Sequence, residues 1–125
     1  MLLDTDILIW VFRGNRKAAR LIDRAEDRMI STISFMELVQ GARNRQELRD
    51  IKGFLSDMAF QVIPLSENIG HRAAIYVEEY GLGMGLCVAD ALIAATAVEH
   101  NLTLCTGNRK HYRSIKDLDK KAFRP

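Results

Sequence analysis

Only two cysteines occur in this 125-residue chain, Cys87 and Cys105, and they form neither a CxxC pair nor a disulfide-dense framework. Both sit in apolar surroundings and read as buried thiols in a reducing compartment. Histidine is equally sparse. His71, His100 and His111 have no metal-ligand spacing, which excludes a zinc site built on the usual pattern. Long apolar runs are missing too. No stretch approaches the roughly 18 residues of a membrane span. The opening MLLDTDILIW lacks a basic n-region and is interrupted by Asp4 and Asp6, unlike a signal peptide. A cytoplasmic protein is expected. There is no internal repeat, low-complexity segment or linker, and the net charge of +2 is too small to imply nucleic-acid binding by itself.

What is present is ordinary in bulk and uneven in place. Hydrophobic residues make up 48% and charged residues 27%, as in a globular domain. A single domain over residues 1–125 is expected, burying roughly two-thirds of its unfolded surface. The segment after Gly107 carries Arg109, Lys110, Arg113, Lys116, Lys120, Lys121 and Arg124 against Asp117 and Asp119. Such a run is usually a solvated face, but it is also able to contact phosphates. Arg13, at the start of the basic turn Arg13–Lys17, joins Arg109 and Lys110 as a candidate phosphate contact.

Along the chain, strand and helix patterns alternate. Leu2–Leu3 reads as a buried strand, followed by an apolar helix from Ile7 to Phe12 and a second helix from Ala18 to Arg28. Met29 to Ile33 is the next strand; Ser34 then caps a helix over Phe35 to Ala42. Gln46 to Met58 is helical, with Leu48, Ile51, Phe54 and Leu55 on one stripe. Phe60 to Ile63 is a strand stopped by Pro64, and Ser66 caps a helix reaching about Tyr80. The loop GLGMGL, 81–86, leads to an alanine-rich helix over Val88 to His100. Leu102 to Cys105 is a fourth strand, TGNRKHY a turn with a short helix, and a weak last strand lies near Leu118 to Phe123. This alternation argues for βαβ units and a parallel sheet covered on both faces.

Functional groups of such sheets collect beyond the carboxyl ends of the strands. Asp4 follows the first strand, Glu37 lies in the first helical turn after the second, and Asp90 opens the alanine-rich helix. Asp6 and Asn108 could join them. Gathered carboxylates repel unless a cation sits among them, and hard oxygen ligands suit Mg²⁺ or Mn²⁺. Each acid also has a purely structural explanation. Asp4, Asp6 and Asp90 could be helix-start acids favoured by the macrodipole. Ser34-Phe35-Met36-Glu37 fits the capping box S-x-x-E. One topological difficulty stands: two helices separate the third and fourth strands. If both crossed the sheet, Asp90 would start at the wrong edge, so the glycine-rich loop would have to return the chain to the carboxyl edge.

Taken together, LLDTDIL, ISFMEL, LCVADALIAATA and TGNRKHY resemble the four ordered motifs of PIN domains, most closely those of VapC-type toxins of toxin–antitoxin pairs. The resemblance covers essentially the whole chain. It implies a three-layer α/β/α sandwich with a mostly parallel sheet of about five strands. It also implies a Mg²⁺- or Mn²⁺-dependent endoribonuclease acting on RNA, inhibition by a cognate antitoxin in the active-site groove, and a homodimer. Asp4, Glu37 and Asp90 then fall on the family's acids, while Thr106 and Asn108 match the motif after the fourth strand. Asn108 is neutral where some members carry a fourth acid, which weakens the case for a strong second metal; Asp6 partly compensates for that charge. Two other readings stay open. D-T-D partly fits the D-x-D of a haloacid-dehalogenase-type phosphohydrolase with Asp4 as nucleophile, although no persuasive lysine and acid pair follows. A catalytically weakened RNA- or partner-binding domain is favoured only by Asn108.

Overall fold

The computed structural model describes residues Met1–Pro125. Strands β1 (Leu2–Leu3), β2 (Met29–Ser31), β3 (Gln61–Ile63), β4 (Leu104–Thr106) and β5 (Lys120–Ala122) form one sheet in the order β3-β2-β1-β4-β5. All four pairings are parallel. Helices α1 (Thr5–Phe12), α2 (Arg16–Arg24), α3 (Thr32–Gln40), α4 (Arg45–Asp57), α5 (Glu67–Tyr80), α6 (Val88–Glu99) and α7 (Arg109–Tyr112) surround it. No helix is long and apolar enough to cross a membrane.

The strand residues alternate between two cores, as a two-residue side-chain period demands. Leu2 and Leu104 join an apolar cluster with Ile69, Ala94 and Tyr112 under α5 and α6. Leu3 and Cys105 join another with Ile7, Leu8, Ala18 and Ile22 under α1 and α2. The result is the α/β/α sandwich expected. Burial of Ala91, Ala94, Ala95 and Ala97 explains the alanine run of α6: small side chains let this helix lie close to its neighbours.

The α5–α6 loop resolves the topological difficulty. Gly83 and Gly85 have φ of 78° and 72°, a left-handed conformation that glycine adopts without a Cβ clash. Beyond them, α6 begins where Asp90 reaches the same tyrosine hydroxyl as Asp4, that of Tyr112. Asp90 is therefore at the carboxyl edge.

Several boundaries differ from expectation. The second helix starts at Arg16, because Asn15 Oδ1 accepts from Ala18 N at 2.9 Å, so Arg16 and Lys17 are helical and not part of a turn. It stops at Arg24, and Arg28 instead folds back to donate to Ile22 O at 2.7 Å and Met58 O at 2.9 Å. Strand β2 ends at Ser31, which pairs with Ile63 and caps α3 by accepting from Ile33 N at 3.1 Å. Ser34 is consequently not a cap, and no Ser34–Glu37 capping box forms. Strand β4 runs through Thr106. Cys87 is exposed, contrary to its reading as a buried thiol, whereas Cys105 is buried.

Candidate active site

Asp4 leaves the central strand β1 and caps α1, with its side chain only 5% exposed. Its Oδ1 accepts from Thr5 N at 2.8 Å. Its Oδ2 accepts from Thr106 Oγ1 at 2.7 Å and from the Tyr112 hydroxyl at 3.1 Å. No lysine or arginine forms an ion pair with it. Burial pushes the Asp4 carboxyl up from its ordinary 3.8 to about 6; the neighbouring charge of Asp6 adds to the rise, and the donors Thr106, Thr5 and Tyr112 oppose it.

Asp6 lies in the first turn of α1, in the same corner. Its Oδ2 accepts from Gly107 N at 2.9 Å, while its Oδ1 is buried with no partner. Burial also raises its pKa. An orphaned buried carboxylate oxygen is costly without a cation or a proton.

The Tyr112 hydroxyl reaches Asp90 Oδ1 at 3.4 Å, so one buried phenol links the two acids. Asp90 Oδ2 accepts from Cys87 Sγ at 3.0 Å and lies 3.6 Å from His111 Nδ1. Glu37 stands in the second turn of α3, not the first, and is exposed. Its Oε1 accepts from Thr5 Oγ1 at 2.7 Å, and the buried Ser34 Oγ lies 2.8 Å from the same hydroxyl. A carboxylate only accepts, so the Thr5 proton goes to Glu37 and Ser34 supplies the proton between the two hydroxyls.

Thr106 orients Asp4 and itself accepts from Asn108 N at 2.9 Å. Asn108 thus supports the site through its backbone; its side chain is exposed and makes no cap bond. Arg13 is exposed, with its guanidinium carbon 5.7 Å from the Trp10 ring centroid. It lines, with Glu37, Phe12 and Phe54, a cleft of about 590 Å³ between α1, α3 and α4. Arg109 and Lys110 are exposed on α7 beside Asn108.

Asp4 and Asp90 share the Tyr112 hydroxyl, whereas Glu37 is tied to the site through Thr5, whose hydroxyl donates to it and whose amide donates to Asp4. No three acid, histidine or cysteine side chains form a ready metal-ligand group. The donor set nonetheless fits a hard divalent cation: carboxylate oxygens, an orphaned Asp6 Oδ1, and a desolvated Asp4 with no basic partner. A nucleophilic Asp4 fits less well, because no lysine pairs with it.

The match to known families decides among these alternatives. A family model described as the PIN domain matches residues 1–117. The chain belongs to the PIN-domain family. Among curated relatives, Ribonuclease VapC10 of Mycobacterium tuberculosis is 35% identical over 127 residues, covering 94% of this chain and 90% of that protein. Ribonuclease VapC1 of Methanocaldococcus jannaschii is 27% identical over 124 residues, covering 98% and 86%. Among solved structures, a toxin-antitoxin complex from Klebsiella pneumoniae contains a chain that matches with a TM-score of 0.78 and 34% identity, covering 94% of this chain and 93% of that one. VapBC-1 from nontypeable Haemophilus influenzae gives 0.77 and 27%, covering 97% and 96%.

Within this PIN domain, Tyr112, Thr5, Ser34 and Gly107 are site residues that sequence reasoning missed. One signal was available for Tyr112. It is the single apolar-bodied residue of RKHY, fully buried where its three neighbours are exposed.

Proposed function

We propose that this chain is a metal-dependent endoribonuclease, the toxin of a toxin–antitoxin pair, with Mg²⁺ or Mn²⁺ held by Asp4, Asp90 and Glu37. The observation that carries this reading is the buried Asp4 carboxylate, linked through Tyr112 to Asp90 and without any basic counter-charge. Relatives named ribonuclease VapC and structural neighbours solved as toxin–antitoxin complexes support RNA as substrate and an antitoxin as partner. A homodimer is part of the same proposal.

When bound, the cation supplies an oriented, activated water and offsets charge on the phosphate in flight. The chain's own residues prepare for that chemistry. Thr106 and Tyr112 fix Asp4 Oδ2, and Thr5 fixes Glu37 Oε1, leaving Glu37 Oε2 free to ligate the cation or to position the attacking water. Asp6 adds negative charge beside Asp4, and Asn108 holds Thr106 through its amide. Arg13, Arg109 and Lys110 contact RNA phosphates.

The test is cleavage of single-stranded and loop-containing RNA after chelation, followed by Mg²⁺ or Mn²⁺ add-back. Activity should vanish and return. Full activity in EDTA overturns the metal mechanism, and RNA binding without cleavage under any condition favours the weakened domain that Asn108 alone suggests.

A further inference from the structure

We propose that a basic track along edge strand β5, between it and α2, binds the phosphate backbone of RNA outside the acid cluster. The proposal rests on the ribonuclease reading and extends its substrate surface to residues that the acid cluster does not include. Lys17, Arg20 and Arg24 recur at three- and four-residue spacing on α2, which places them on one helix face. Asp23, the only acid of this helix, does not line the cleft that these three share. The opposite wall is built from Lys121 and Arg124, at and just beyond β5. Together these five cations line a cleft of about 550 Å³ with no acidic residue in its walls.

The cleft does not end there. A second one, of about 380 Å³, shares Ala122, Phe123 and Arg124 with it and continues past Arg109 and Lys110 to Gly107 and Asn108. Gly107 is the residue whose amide holds Asp6, so the track leads to the rim of the acid cluster. None of Lys17, Arg20, Arg24, Lys121, Arg124, Arg109 or Lys110 takes part in an ion pair. In a chain of net charge +2 this is a marked segregation, and a row of unpaired cations fits a polyanion whose charges repeat along its length. A lysine on an edge strand also discourages strand pairing. That explains Lys121 but not the three cations of α2, which belong to no strand.

Binding is measured in EDTA by fluorescence anisotropy, on single-stranded RNA of about 20 nucleotides and of about 4 nucleotides, lengths chosen around the usual span of a single-strand site. The variant Lys17→Gln/Arg20→Gln/Arg24→Gln should weaken binding of the long RNA about tenfold and lower its salt slope by about 2, three contacts at roughly 0.7 each. Binding of the short RNA should hold. Lys121→Gln/Arg124→Gln, on the other wall, should weaken binding of the long RNA and lower the slope by about 1.4, two contacts at roughly 0.7 each, and Arg20→Lys should keep the slope. An unchanged slope in both multiple variants overturns the track, as does a loss confined to duplex DNA. Wild-type protein that binds the long RNA through these residues yet never cleaves it keeps the track and overturns the nuclease reading. Cleavage with an unchanged slope does the reverse.

Discussion

Gly107 and Asp6 are in closer contact than any other side chain at position 107 would allow. The Gly107 amide donates to Asp6 Oδ2 at 2.9 Å, and a Cβ on residue 107 would lie 2.6 Å from that same oxygen. Gly107→Ala must therefore push Asp6 or the β4–α7 turn aside. A stability loss of about 1–3 kcal/mol is expected, for the hydrogen bond to a charged group that breaks when the carboxylate yields, measured by urea unfolding. Adding Asp6→Ala should recover part of that loss, because the two positions are coupled. Additive effects would show that the clash relaxes elsewhere.

The raised Asp4 pKa makes metal-free stability depend on pH. Because the native carboxyl titrates at about 6 and the ordinary value is 3.8, the native state binds the extra proton between these values. Stability from this group is greatest below about pH 4, falls as pH rises through the window, and levels off above about pH 6. The loss is about 3 kcal/mol by linkage. Asp4→Asn should flatten that dependence, keep or raise metal-free stability at pH 7, and abolish cleavage. The Thr106 and Tyr112 hydroxyls tolerate the amide because they accept as well as donate. Thermal unfolding across pH checks the first part; a steep dependence surviving in Asp4→Asn would assign it to another group.

Divalent-cation binding should carry the opposite pH trend. A cation competes with the Asp4 proton, so affinity should weaken as pH drops below about 6. Titration calorimetry with Mn²⁺ at several pH values measures this, and flat affinity from pH 5 to 8 would remove Asp4 from the ligand set.

Glu37→Gln separates chemistry from capping. With Ser31 as the cap of α3, Glu37 has no capping role to lose. Stability should stay within about 0.5 kcal/mol, while cleavage falls on the order of a hundredfold or more. Ser31→Ala is the informative control, losing about 1 kcal/mol of stability through the cap and sparing much of the activity. Parental cleavage by Glu37→Gln would take Glu37 out of the catalytic set.

Tyr112→Phe keeps the buried ring and removes one hydroxyl. Asp4 then loses a donor that favours its charged form, so its pKa rises further. The acidic limb of the activity–pH profile should move to higher pH. An unmoved limb, with activity merely scaled, would make the hydroxyl a packing group.

The α/β/α layering was legible because it rests on local periodicity: alternating strand and helix patterns, and an alanine run whose close packing needs small residues. Asp4 and Asp90 were legible as acids placed just after a strand or at a helix start. The capping of α3 was not. ISTISFMEL offers Ser31, Thr32 and Ser34 as caps, and the S-x-x-E rule favours the last, yet pairing of Ser31 with Ile63 across the sheet ends the strand earlier. The role of Tyr112 was hidden for the same reason, since its hydroxyl meets a residue 108 positions away. The exposure of Cys87 escaped because apolar neighbours in sequence need not be neighbours in space: Leu82, Met84 and Val88 are themselves exposed.

Strand β1 contains two residues and is paired on one side to β4, where Leu3 meets Cys105. During synthesis, then, Asp4 stays without Thr106 and Tyr112 until the chain has grown by a further 102 and 108 residues. The order of translation delays the assembly of the acid cluster, so a product stalled or truncated before residue 104 carries the acids without the frame that aligns them.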